Sequence, residues 1–416
     1  MAQFFINRPI FAWVISLLVL LGGALAVQNL PVMAYPDISP PQVTVTASYP
    51  GASAEVIEDT VTSVIEEEMN GIEGLRYIKS DSSRTGTSTI VLTFATGTDT
   101  DIAGVEVQNR LKRVEARLPA SVRTQGVNID KTRPDFLMVV SLYSPNGTHD
   151  ATDLGDYVDR AILGEMRRID GIGSAQLFSS TYAMRVWVDP KKMASYAITP
   201  SEISQAIRDQ NAQLATGELG SLPSPSNQQI NATILVPSRL STPDEFGNII
   251  LRSSSDGAIV RLKDVAEVER GANNYGSAAM LNGQDSAAFA LKLSNAGNAL
   301  EAAESVKAKM SELEQYFPED VEWVIPYDTS IFVDESISQV VQTLIEAVFL
   351  VTLVMFLFLQ SWRTTLIPLI VVPVSLIGTG MGLYLLGFSI NMLTMFAMVL
   401  AIGIVVDDAI IVVENI

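Results

Sequence analysis

The sequence predicts a membrane protein of the α-helical plus α+β class, in which a bundle of transmembrane helices carries a large water-exposed region. Three observations predict it. Four apolar stretches are each close to the roughly 20 residues that cross a bilayer. About 300 residues of ordinary globular composition separate the first stretch from the second, enough for two or three compact domains. Within this region a βαββαβ pattern occurs twice, and an insertion interrupts the second copy.

The first apolar stretch, Pro9 to Val27, contains no charged residue, and we expect residues 1–30 to form a transmembrane helix. The alternative is a cleaved signal peptide, because Ala24-Leu-Ala26 resembles a cleavage site. The apolar core is longer than that of a typical signal peptide, and more apolar stretches follow, so we expect the helix to be retained.

The later spans and their loops set the expected topology. Arg8 precedes the first span and Arg363 lies between the second and the third, so both ends face the cytoplasm under the positive-inside rule. The water-exposed region then lies on the opposite side of the membrane. The three later spans are expected at residues 331–360, 364–387 and 390–416, the last of them truncated.

Residues 31–134 are expected to form the first ferredoxin-like βαββαβ module. Val43 to Tyr49 alternates in polarity and is β-branched, which predicts a strand, and Ser53 can cap the next helix. A second helix is expected from Thr100 to Leu118, and a last strand near Val122 to Ile129. The apolar positions of that second helix are Ile102, Val105, Leu111 and Val114.

The pattern then starts again. Residues 135–181 and 274–330 are expected to form the second ferredoxin-like module, split by an insertion at residues 182–273. Inside the insertion, Thr199 followed by Pro200 and Glu202 predicts a helix that begins with a capping box.

Asp407 and Asp408 are adjacent in the fourth apolar stretch, and apolar residues continue for more than a turn beyond them. A carboxylate in the bilayer interior costs about 3 kcal/mol on insertion scales, so the pair predicts a proton- or ion-coupling site. The alternative is that both acids lie at a helix end among lipid headgroups. Glu346, in the second span, is either a relay element or a packing or interfacial residue.

Other classes of function fit the composition less well. A net charge of −19 argues against nucleic-acid binding. One histidine and no cysteine argue against a soft-metal site. An intramembrane aspartyl protease needs two aspartates facing each other. Adjacent residues on one helix point about 100° apart and fit that arrangement badly.

Several segments together resemble the resistance-nodulation-division transporters, in particular the hydrophobe/amphiphile multidrug efflux branch. The resemblance covers all 416 residues, and its last segment is highly specific. The matching segments run from Phe4 to Val14, Tyr49 to Ser53, Val107 to Leu111, Ala183 to Trp187, Pro326 to Thr329 and Gly403 to Asn415.

The resemblance implies a secondary active transporter rather than an enzyme. It implies a homotrimer in the bacterial inner membrane, driven by the proton-motive force without a cofactor. Such a transporter passes amphiphilic drugs to a periplasmic adaptor and an outer-membrane channel. Residues 31–134, and 135–181 with 274–330, would be its first two porter subdomains, and residues 182–273 half of its periplasmic docking domain. Asp407 and Asp408 would form the proton relay.

The resemblance also implies a substrate pocket. Six positions match residues that line this pocket in the family, and the alternative for each is that it is an ordinary core residue. Aromatic side chains with a few amides suit large ligands of mixed polarity. The positions are Phe136, Val139, Gln176, Phe178, Asn274 and Tyr327.

The sequence departs from the family pattern in its length. Family members are about twice as long, and their basic residues opposite the acid pair lie on later helices. We therefore expect this chain to be the N-terminal portion of a transporter, or to need a second polypeptide, and not to pump alone. An exporter of lipids or metals on the same scaffold and a non-transporting membrane scaffold remain as alternatives.

Overall fold

In a computed structural model, the chain forms four apolar helices and a region of antiparallel sheets and helices. It describes residues 8–33, 40–131, 135–212, 218–219, 232–233, 239–253, 257–276, 278–294 and 297–414. Side chains are described in these ranges except at residues 218–219, 232–233, 359, 368, 406–410, 413 and 414. The first apolar helix, α1, spans Pro9–Asn29, and proline suits its first turn because no N–H partner is needed there.

The first α/β unit follows α1 and is a four-stranded antiparallel sheet in the order β2-β3-β1-β4. Helices cover one face, where alternate strand residues such as Val43 and Val45 are buried. As predicted, the Ser53 hydroxyl caps the first helix by accepting from the Val56 N–H. The elements are β1 Gln42–Ser48, α2 (Ala54–Ile57, a π-helical turn Glu58–Thr62 and Ser63–Met69), β2 Leu75–Ser82, β3 Thr87–Phe94, α3 Thr100–Val114, α4 Ala120–Gln125 and β4 Val127–Asp130.

The prediction of a strand from Val122 to Ile129 was wrong over its first half, because α4 occupies that segment. Gly126 has a φ of 83°, a positive value that glycine adopts readily, and the helix ends there before β4 begins. Pro119 therefore separates two helices instead of a helix and a strand.

Two apolar positions of α3 do not face the core. Ile102 is 69% exposed and Val105 is 54% exposed. The buried stripe of α3 instead follows a spacing of three to four residues through small as well as large side chains. Its members are Ala103, Val107, Leu111 and Val114.

The second α/β unit begins with a strand, a helix and a strand, and the insertion then leaves it. The elements are β5 Met138–Tyr143, α5 (Ala151–Tyr157, a π-helical turn Val158–Ile162 and Leu163–Met166) and β6 Ile172–Leu177.

The insertion leaves and re-enters through two strands, β7 and β12, which pair antiparallel from Tyr182↔Ala272 to Val188↔Ala266. It has its own buried cluster, which includes Phe246 and Leu262. Its predicted capping box is confirmed, because Thr199 and Glu202 exchange side-chain to backbone hydrogen bonds. The elements are β7 Tyr182–Val188, α6 Pro190–Tyr196, α7 Pro200–Gln210, β8 Glu218–Leu219, β9 Ala232–Thr233, α8 Pro243–Gly247, β10 Ile250–Ser253, β11 Ile259–Arg261, α9 Leu262–Val265 and β12 Ala266–Ala272.

The rest of the second unit completes its sheet. The strand order is β13-β14-β5-β15, with β6 also paired to β14. Helices α5 and α10 cover one face, with Val140, Leu142 and Phe289 among the buried residues. The closing elements are β13 Ala279–Leu281, β14 Gln284–Leu293, α10 Ala299–Glu314 and β15 Glu322–Asp328.

Three helices end the described chain: α11 Thr329–Leu359, α12 Trp362–Leu385 and α13 Met392–Glu414. Three segments are long and apolar enough to cross a membrane, namely Pro9–Asn29, Thr329–Phe358 and Trp362–Leu385. The part of α13 with described side chains is a shorter apolar stretch, Met392–Val405.

Helices α1 and α12 pack so closely that glycine is required at the contact. A Cβ on Gly23 would lie 2.1 Å from the carbonyl oxygen of Ile377, and one on Gly380 would lie 2.5 Å from Val27 Cγ2. Small residues allow such backbone approach between membrane helices. A Cβ on Gly382, on the same helix as Gly380, would meet no atom within 4 Å among the described residues.

Gly23→Ala should lower the thermal stability of the detergent-solubilised protein. Alanine favours a helix by roughly 1 kcal/mol over glycine, but overpacking against backbone costs about 1–3 kcal/mol. Gly382→Ala is the matched control, because it gains the same helix propensity without the clash. A melting temperature of Gly23→Ala equal to or above that of Gly382→Ala would contradict the close contact.

Candidate functional site

Three of the residues predicted to line a pocket lie in one row across the second sheet. Gln176 of β6 is opposite Ala290 of β14, Ala290 is opposite Val139 of β5, and Val139 is opposite Tyr327 of β15. Residues directly opposite share a face. Their strand neighbours, such as Val140 and Leu291, enter the core under the helices. The row therefore lies on the face away from α5 and α10, which we call the aromatic face.

Phe136 and Phe178 meet at one end of the aromatic face. Their ring centroids are 5.8 Å apart at an interplanar angle of 90°, an edge-to-face pair. The Phe178 N–H donates to the Ala288 carbonyl at 2.8 Å, which extends the pairing of β6 and β14 beyond Leu177. The fold thus brings together a ring that precedes β5 and a ring that follows β6.

Lys292 is a member of this site that the sequence analysis missed. Its Nζ lies 5.5 Å from the centroid of Phe136 and 3.8 Å from Oδ2 of Asp130, the last residue of β4. The signal was available, because Lys292 is two residues after Ala290 and strand alternation puts both on one face. The ion pair joins the two α/β units, so the aromatic face ends at their junction.

Asn274 lies at the exit of the insertion. Its N–H donates to Ser180 Oγ at 2.8 Å, and its side-chain oxygen accepts from the Gly276 N–H at 2.8 Å. Ser180 is two residues after Phe178, so the structure brings Asn274 toward the aromatic pair. Phe136, Val139 and Phe178 are half-buried, while Gln176, Asn274 and Tyr327 are exposed. None of the six belongs to the buried core of the second unit.

The strands that connect the insertion are fixed beside Asn274 by stacked cations and rings. The Arg270 guanidinium lies 3.6 Å from the ring centroid of Tyr182, and that of Arg185 lies 4.8 Å from Tyr275. Tyr182 donates its hydroxyl proton to Asp153 of α5. Burial, and then this hydrogen bond, raise the pKa of Tyr182 to about 12.

Strand β15 runs into membrane helix α11 without a linker. Asp328 caps α11 by accepting from the Ser330 N–H at 2.9 Å, and its carboxylate lies 2.7 Å from Lys307 Nζ of α10. The side chain is 3% exposed. Burial acts to raise the pKa of Asp328, but the hydrogen bonds from Lys307 and Ser330 outweigh it and lower the pKa. Thr329 also donates its N–H and hydroxyl to the Leu137 carbonyl, which anchors the helix beside Phe136.

The predicted acid pair lies in α13, but the side chains of Asp407 and Asp408 lie outside the described ones. The described part of α13 packs on α11 and α12 through Ile402, Met355 and Val372. A groove of about 290 Å³ between α12 and α13 ends at Val405, two residues before the acid pair. Its lining is apolar apart from Ser375, Thr379 and Thr394, and each of these hydroxyls donates to a backbone carbonyl.

Glu346 is exposed on α11 and accepts a hydrogen bond from Gln342, one turn earlier, at 3.0 Å. This contact is local to the helix. Whether Glu346 relays protons stays a prediction.

A family model described as the AcrB/AcrD/AcrF family matches residues 1–416. The chain belongs to this family. The resemblance to resistance-nodulation-division multidrug efflux transporters is thereby confirmed.

Several named transporters match the chain over its full length. It is 50% identical to the multidrug resistance protein MdtF of Escherichia coli strain K12 and 49% identical to the multidrug export protein AcrF of the same strain. It is 47% identical to the solvent-resistant pump membrane transporter SrpB of Pseudomonas putida. Each match covers all of this chain and 40% of the relative, so the chain spans 40% of their length.

Tyr327→Ala should weaken binding of a fluorescent aromatic amphiphile by roughly 2- to 10-fold, since one aromatic contact is worth about 0.5–1.5 kcal/mol. Thermal stability should not change, because the side chain is 52% exposed. Tyr316→Ala is the matched control: Tyr316 is 69% exposed on the same unit, and the backbone carbonyl that accepts from Tyr157 is kept. Equal loss of binding in both variants, measured by fluorescence polarisation, would rule out a specific role for the aromatic face.

Proposed function

We propose that the chain is the N-terminal portion of a proton-driven multidrug efflux transporter. It would export amphiphilic or hydrophobic compounds across the cell envelope by drug/proton antiport, without a cofactor. One observation carries the proposal: Asp407 and Asp408 are adjacent in an apolar helix of a chain that belongs to the AcrB/AcrD/AcrF family. The names of its relatives refer to multidrug resistance, multidrug export and solvent resistance, which supports apolar and amphiphilic substrates.

The acid pair would couple protons to movement of α13. A charged carboxylate in an apolar environment is costly, and protonation removes that cost, so the favoured contacts of the helix differ between the two forms. Each inward proton supplies about 2.3 kcal/mol per 100 mV and about 1.4 kcal/mol per pH unit. Adjacent positions on an α-helix are about 100° apart, so one carboxylate would pair with a cation while the other holds the proton.

The aromatic face would bind the exported compound. Phe136, Phe178 and Tyr327 offer apolar surface, and Val139 and Gln176 add an aliphatic and an amide group beside them. Such a mixture favours bulky ligands with few fixed polar groups. The opposite charges of Lys292 and Asp130 offset each other at this end of the face, which suits compounds of either sign.

The two α/β units would be the first two porter subdomains, and the insertion part of a docking domain. The strand order β2-β3-β1-β4 of the first unit supports a ferredoxin-like module. With Arg8 and Arg363 in the cytoplasm, both units and the insertion would lie in the periplasm, with the spans in the inner membrane. The whole transporter would be a homotrimer working with a periplasmic adaptor and an outer-membrane channel.

Asp407→Asn and Asp408→Asn, each introduced into the complete transporter, should reduce export to background. Asparagine keeps the size and hydrogen-bonding capacity of the side chain but cannot take up and release a proton. Energised cells loaded with a fluorescent amphiphile would report export, at matched expression. Ligand binding should survive, because the aromatic face lies outside the membrane helices.

Glu335→Gln is the control, since Glu335 is an exposed acid near the start of α11 whose side chain contacts Gln339 of the same helix. It should export at the wild-type rate. Wild-type export by either acid-pair variant under an imposed pH gradient would show that the substituted residue is not part of the proton relay.

A further inference from the structure

A short backbone segment after α1 touches both the start of the acid-bearing helix and the second α/β unit. We call Pro31 to Met33 the strut. The Ile390 N–H donates to the Pro31 carbonyl at 3.0 Å, and the Met33 N–H donates to the Ile390 carbonyl at 3.0 Å. The two hydrogen bonds flank Val32 and form a parallel bridge between Val32 and Ile390. Ile390 is two residues before α13 begins.

The other side of the strut holds the start of α10. The Ala299 N–H donates to the Val32 carbonyl at 3.1 Å, and Ala299 is the first residue of α10. Met33 is 7% exposed, and Pro31, Val32 and Ile390 are half-buried. Backbone hydrogen bonds shielded from water are costly to break without replacement, so the elements they join are expected to move together.

The loop that meets the strut is rigidly attached to α13. Asn391 is 1% exposed. Its Oδ1 accepts from the Thr394 N–H at 3.0 Å, Thr394 Oγ1 accepts from the Asn391 N–H at 2.9 Å, and its amide donates to Ser389. This reciprocal cap ties residues 389–391 to the first turn of α13. A displacement of that turn therefore displaces Ile390.

Helix α10 carries the contact onward to the aromatic face. Lys307 of α10 is paired with Asp328 at 2.7 Å, and Asp328 follows Tyr327. In the part of the chain that the structure describes, residues 387–391 form backbone hydrogen bonds outside their own loop and the adjoining helices with the strut. Between α13 and its neighbours α11 and α12, by contrast, the buried contacts among the described side chains are apolar, with Met355, Val372 and Ile402 at their centre.

We propose that the strut, Pro31 to Met33, transmits movement of α13 to α10, and so couples the acid pair to the aromatic face. The proposal rests on the proposed function, because it needs α13 to move when the acid pair changes protonation. Two rigid elements, α13 with its cap and α10 with its ion pair, are joined by three backbone hydrogen bonds of the strut. Removing one of these N–H donors should uncouple the two sites without disturbing either.

Ala299→Pro removes the donor selectively. Proline is favoured at the first position of a helix, so α10 should persist while the Ala299 to Val32 hydrogen bond is lost. Ala299→Ser is the matched control, since it also enlarges the side chain but keeps the N–H. Ile390→Pro and Ile390→Val form a second pair, which removes or keeps the donor to Pro31.

The assay uses the complete transporter in proteoliposomes with an imposed pH gradient. We expect Ala299→Pro to bind a fluorescent amphiphile as Ala299→Ser does, but to turn over at least about 5-fold more slowly, the lower end of typical coupling between sites. Ile390→Pro should behave likewise against Ile390→Val. Equal turnover within both pairs, or equal loss of ligand binding and turnover in Ala299→Pro, would overturn the proposal.

A direct readout separates this proposal from the proposed function. This sequence contains no cysteine, so Glu304→Cys, at an exposed site on α10, provides a labelling site for an environment-sensitive fluorophore. A shift in external pH should change its emission in the protein with Ala299→Ser but not in that with Ala299→Pro. A response retained in Ala299→Pro overturns the strut. A response retained in Asp407→Asn and Asp408→Asn instead overturns the relay.

Discussion

The carboxylate of Asp328 joins the membrane part of this molecule to its α/β part. It ends strand β15, caps helix α11 and pairs with Lys307 of α10, all with 3% of its side chain exposed. A buried carboxylate is stable only when its charge is matched, so the three elements are held in one geometry. This geometry also positions two residues of the aromatic face. Tyr327 immediately precedes Asp328. Phe136 immediately precedes Leu137, whose carbonyl accepts a hydrogen bond from Thr329.

Sequence reasoning succeeded where the signal was local and failed where a contact was distant. The cap at Thr199 needs only its neighbours Pro200 and Glu202, and the structure confirms it. The role of Asp407 and Asp408 was inferred from their apolar neighbours in the sequence and stays a prediction. The exposure of Ile102 could not be read in the same way, because the sheet decides which stripe of α3 is buried. The strut pairs Val32 with Ile390, which are adjacent only after the whole region between them has folded.

The aromatic face offers mainly apolar contacts, which impose little directional preference on a ligand, and it lies at the boundary between the two α/β units. Its row from Gln176 to Tyr327 crosses four strands, so every member is positioned by sheet hydrogen bonds and not by a loop. Lys292 and Asp130 connect that sheet to β4, and the pair keeps 16% and 26% of its side chains exposed. The separation of 3.8 Å between Lys292 Nζ and Asp130 Oδ2 is longer than a hydrogen bond. The aromatic face therefore borders the first unit through an ion pair.

The paired strands β7 and β12 have a consequence for the history of the chain. Because the insertion leaves and returns through adjacent, hydrogen-bonded strands, its two ends are held about one strand spacing, roughly 5 Å, apart. A segment with neighbouring ends and its own buried cluster can lengthen, shrink or be exchanged between descendants without shifting the register of the host sheet. Residues of the insertion that contact other molecules can then change in evolution independently of the aromatic face, which holds Phe136 and Phe178.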